Sequence, residues 1–84
     1  MNLLEELEAD IERKAQAATK YLLESFVERG QRSIEAAFLP SPEQWSELLP
    51  MLQRIAKKAQ PMALEHQRSL YRRQALGRLT GDDE

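Results

Sequence analysis

Leu39-Pro40-Ser41-Pro42-Glu43-Gln44-Trp45 interrupts a chain of 84 residues near its middle. Pro40 has no backbone N–H and drives the residue before it out of the helical region, so a helix arriving at Leu39 must stop. Ser41 then supplies an N-cap oxygen, Pro42 suits the first helical position, and Gln44 completes a Ser-x-x-Gln capping box. Stop and start signals this close together predict an all-α helical hairpin: helix 3–38, turn 39–41, helix 42–79.

Working outward, Asn2 and Glu5 have the same capping-box spacing, and the acids that follow suit a helix N-terminus. The first arm carries an apolar stripe at Leu4, Leu7, Ile11, Ala15, Ala18, Leu22 and Phe26, in steps of three and four residues. Gly30 falls in phase with that stripe, which resumes at Ile34, Ala37 and Phe38. One long helix, weakened or bent at the glycine, is therefore expected rather than a break.

The second arm is more regular. Trp45, Leu48, Leu52, Ile55, Ala59, Met62 and His66 alternate in steps of three and four, as core positions of a bundle do. Leu49, Ala56, Ala63 and Leu70 recur every seven residues beside them. Pro50 and Pro61 lie within this arm, on the side away from the stripe, and each removes a ladder hydrogen bond; a kinked second helix is expected. Residues 80–84, ending in Asp82-Asp83-Glu84, read as a disordered acidic tail.

Net charge is only −2, yet charge is segregated. Residues 1–47 hold ten acids against five bases, whereas residues 48–79 hold seven bases against Glu65 alone. The arms are thus electrostatically complementary, which favours folding back, pairing with a second chain, or offering a face to a charged partner. Two helices bury only one stripe each, so dimerisation into a four-helix bundle or docking on a partner would complete the core. The N-terminus lacks a signal-peptide pattern and no apolar run approaches membrane-spanning length. A cytoplasmic protein is the expectation, with no membrane contact.

Chemistry is sparse. Cysteine is absent, His66 is the only histidine, and there are three glycines. No metal-ligand spacing, phosphate-cradling loop or nucleophile with its base can be assembled, and neither an enzyme nor a cofactor is expected. His66 on the apolar side reads as a half-buried or interface residue. Trp45 reads as a plug closing the turn against Phe38 or Leu39, with a binding anchor as the alternative. Arg54, Lys57, Lys58, Arg68 and Arg72 share one arc of the second helix. Such an arc could track phosphates, but it is also what any solvated helix face looks like.

The leading expectation is a non-enzymatic protein-interaction module, an adaptor, small chaperone or regulator that holds a helix of itself or of another protein along its apolar stripe. Its candidate contacts are Leu22, Phe26, Trp45, Leu48, Leu52, Ile55, Met62, His66 and Leu70. The alternative is a nucleic-acid-binding regulator using the basic arc.

Overall fold

The structure, a computed structural model, describes residues 2–80, with side chains for residues 2–78. It is all-helical: α1 spans Leu3–Phe38 and α2 spans Pro42–Thr80, and the two pack against each other as a hairpin. Residues 81–84 of the expected acidic tail lie outside the described residues.

Both helices begin at reciprocal capping boxes. Asn2 Oδ1 accepts from the Glu5 N–H at 2.8 Å, and Glu5 Oε1 accepts from the Asn2 N–H at 3.4 Å. At the turn, Ser41 Oγ accepts from the Gln44 N–H at 3.2 Å, and Gln44 Oε1 accepts from the Ser41 N–H at 2.9 Å. Each box satisfies donors that a helix start leaves without intrahelical partners. The stop is different in kind. Leu39 leaves the right-handed helical region, as a residue before proline should, but enters the left-handed one, with φ 49°. That is the conformation of a helix C′ residue, which glycine adopts far more readily than leucine.

α1 runs unbroken through Gly30, and α2 runs unbroken through Pro50 and Pro61. Both prolines are exposed. The carbonyls they leave unbonded, on Ser46 and Lys57, belong to exposed residues where water can reach them.

The hairpin divides into two compact units. One comprises the described residues up to Thr19 together with those from Pro61 onward; the other is Lys20–Gln60 and contains the turn. Within the first unit Ile11, Ala15, Thr19 and Ala75 are buried. The Thr19 hydroxyl donates to the Ala15 carbonyl at 2.7 Å, so this buried polar group is satisfied within its own helix. Within the second unit Leu52 and Ala56 are buried, and Leu52 lies against Gly30. Small residues take part in the packing of both units, which lets helix axes approach but buries little apolar surface per residue.

The buried line on α2 departs from the apolar row that the sequence suggests. Leu48 and Leu52 are shared by both, but beyond them Ile55, Ala59, Met62 and His66 are exposed, Met62 at 80%. Ile55, three residues after Leu52, already lies about 60° round the helix from it, on the side away from Ala56. Ala56 of the parallel row is buried, and Ala63 and Leu70 of that row are half-buried. His66 is exposed, not half-buried. Trp45 is half-buried, but Phe38 and Leu39 are 76% and 83% exposed, so they are not sealed beneath it.

Candidate interaction surface

Gly30 sets the geometry of the second unit. A Cβ built on it would stand 3.0 Å from Leu52 Cδ2, so Gly30 and Leu52 mark the line along which the helices meet. Leu23 and Val27 lie to one side of that line on α1, and Gln53 and Ala56 lie to one side on α2. These four line a common open groove edged by Glu24 and Glu28.

The other side carries more exposed apolar surface. Phe26 and Leu22 precede Gly30 by four and eight residues, which turns them roughly 40° and 80° away from the groove. Ile55 and Met51, three after and one before Leu52, turn roughly 60° and 100° in the same rotational sense. Because the helices run antiparallel, equal rotations on both bring side chains to the same side of the pair. Leu22, Phe26, Met51 and Ile55 therefore form one strip, with Phe26 near the level of Ile55. They are 38–47% exposed, far more than core residues of their type. Ala59, also exposed, continues the strip on α2.

The strip unites three residues that the apolar stripes mark (Leu22, Phe26 and Ile55) and adds Met51. Trp45, Leu48 and Leu70 are half-buried, and Leu52 is buried against Gly30. Leu52 thus serves the hairpin's own packing, and the other three are less exposed than the strip residues. Met62 and His66 are exposed in the other unit. Met51 lies outside both apolar rows of α2, so periodicity does not mark it. Its side gains meaning only once Gly30 fixes which way α1 faces.

Of the basic arc, Arg54, Lys57, Lys58 and Arg72 are exposed, whereas Arg68 is half-buried and engaged. Its Nε and Nη2 donate to Glu12 Oε1 and Oε2 at 2.7 and 2.8 Å, a bidentate pair joining the two helices of the first unit. Glu65 approaches Arg68 from its own helix at 3.5 Å. The Arg68 hydrogen bond, followed by one from Gln16, holds the Glu12 carboxyl down at about 2 from an ordinary 4.5. Glu12 in turn raises the pKa of Arg68. Asp10, between Lys14 and Arg13, is also lowered, chiefly by its hydrogen bond with Lys14.

Among the described residues no group of three or more His, Cys, Asp or Glu could hold a metal ion, and no helix is long and apolar enough to cross a membrane. No buried side-chain nitrogen or oxygen among them lacks a hydrogen-bond partner. Comparison with known proteins finds no matching family, no matching curated protein and no matching solved structure.

Proposed function

We propose that this protein is a non-enzymatic helical interaction module that binds a helix of another chain along the strip formed by Leu22, Phe26, Met51 and Ile55. The observation that carries the reading is the placement of these four large apolar side chains, each more than a third exposed, on one side of a single unit. Two antiparallel ridges with apolar side chains between them are the receiving half of a helix-in-groove interface. Burying the strip removes apolar surface from water at roughly 25 cal/mol per Å², the main driving force for such association. An adaptor, small chaperone or regulator all use this mode.

The test is quantitative capture from the native host by the wild-type chain and by a Phe26→Gln/Ile55→Gln variant. Both positions are partly exposed, so circular dichroism should show an intact helical fold in the variant. Partners recovered with the wild type should be lost with the variant; equal recovery contradicts the reading.

The nucleic-acid alternative is weaker, because Arg68 is committed to Glu12 and Glu65 and the arc loses its half-buried member. It predicts retention on a phosphate matrix that falls steeply with added salt.

A further inference from the structure

We propose that the strip's occupant is an amphipathic helix with acidic residues flanking its apolar face, contributed by a different protein. This rests on reading the strip as a docking surface, and goes further by fixing the charge of what docks. Arg29 follows Phe26 by one turn and stands at the outer edge of the strip on α1; Lys58 follows Ile55 by one turn and stands at the outer edge on α2. Both are exposed. Among the described residues the Arg29 side chain bonds the Ser25 carbonyl, at 3.4 Å, and no carboxylate. Arg32 lies on the outer surface of α1 with Leu22 and Arg29, a surface that also takes in Glu28.

The four ion pairs among the described residues, Asp10–Arg13, Asp10–Lys14, Glu12–Arg68 and Glu65–Arg68, all belong to the other unit. Among the described residues Arg29 and Lys58 therefore take part in no ion pair, although Glu28 lies near Arg29 on α1. Glu24 edges the opposite groove, Glu28 lies between that groove and the outer surface of Arg29 and Arg32, and Glu47 lies one turn beyond Met51 toward the chain reversal. Acids on both flanks of an incoming helix would meet Arg29 on one ridge and Lys58 on the other. A second copy of this chain fits worse. Face-to-face packing would bring a basic border onto a basic border, and like charges across an interface cost affinity.

Two peptides of about 18 residues, long enough to hold helical structure, serve as probes. They share one leucine face and differ only in glutamates or lysines on its flanks. At physiological salt the wild-type chain should bind the glutamate peptide about tenfold or more tightly than the lysine peptide. An Arg29→Glu/Lys58→Glu variant, altered only at exposed positions, should reverse that order. Phe26→Gln/Ile55→Gln should abolish both. Equal affinities, or an order unchanged in the charge variant, overturn the acidic partner; if the Gln variant still loses binding, the docking surface itself stands. If neither peptide binds, both fail. A dimer in sedimentation equilibrium that dissociates in the Gln variant assigns the strip to self-association and overturns the proposal. So does binding to phosphatidylglycerol vesicles that the glutamate peptide cannot displace.

Discussion

Leu39 and Gly30 are the two residues at which backbone geometry limits what a side chain can do. Leu39 holds φ 49° with a side chain that packs on little, so it carries the cost of the left-handed region without a compensating burial. Leu39→Gly should stabilise the hairpin by about 0.5–1 kcal/mol, seen as a higher urea midpoint; destabilisation would mean that the exposed leucine makes contacts worth more than the strain. At Gly30 two effects oppose. Alanine gains about 1 kcal/mol of helix propensity but crowds Leu52 Cδ2 at 3.0 Å, so Gly30→Ala should be nearly neutral. Gly30→Leu has no such compensation and should cost about 1–3 kcal/mol by overpacking. The need for a small residue here was only partly legible. The phase of Gly30 in the apolar stripe placed it inward, but its neighbour across the contact is 22 positions away in the chain.

At the scale of elements, the helix ends were legible because they are local. The pairs Asn2–Glu5 and Ser41–Gln44 write their capping boxes within four residues, and Pro40 writes its stop in one. Facing was not legible. The row from Trp45 to His66 marks apolar spacing but not which of its members face α1. Leu52 is buried, whereas Ile55, Met62 and His66 are exposed.

The prolines of α2 invite a direct measurement. Pro61 sits within unbroken helix, leaving the Lys57 carbonyl to water, so Pro61→Ala should restore a hydrogen bond and raise stability by about 1–3 kcal/mol in urea denaturation. An unchanged or lower midpoint would show that the proline supports the path of α2.

Glu12 and Arg68 lie 56 positions apart, beyond any spacing rule, and only folding shows them to be partners. The sign of their pH effect is set by the depressed carboxyl. The stability this pair contributes is fully present above the ordinary value of 4.5 and is lost as pH falls from there toward about 2. Denaturation midpoints followed from pH 6 down to pH 2 should decline over that window, and less steeply in Glu12→Gln. An identical decline in both would assign acid sensitivity to other carboxylates.

For the whole molecule, the hairpin follows from sequence, whereas the surface that distinguishes its two sides does not. Charge segregation along the chain suggested two complementary arms. The structure shows that complementarity realised between the arms at Glu12 and Arg68 in one unit, while the other keeps Arg29 and Lys58 beside an exposed apolar strip. That unit thus has an acidic-edged groove on one side and a basic-edged strip on the other, and of these two sides the strip exposes the larger apolar side chains. The sharpest measurement is the methyl and aromatic NMR spectrum of the chain titrated with the glutamate-flanked peptide. Shifts should concentrate on Leu22, Phe26, Met51 and Ile55 and leave Leu23 and Val27 in place. Shifts centred on Leu23 and Val27, with Ile55 and Phe26 unmoved, would rule out docking on the strip.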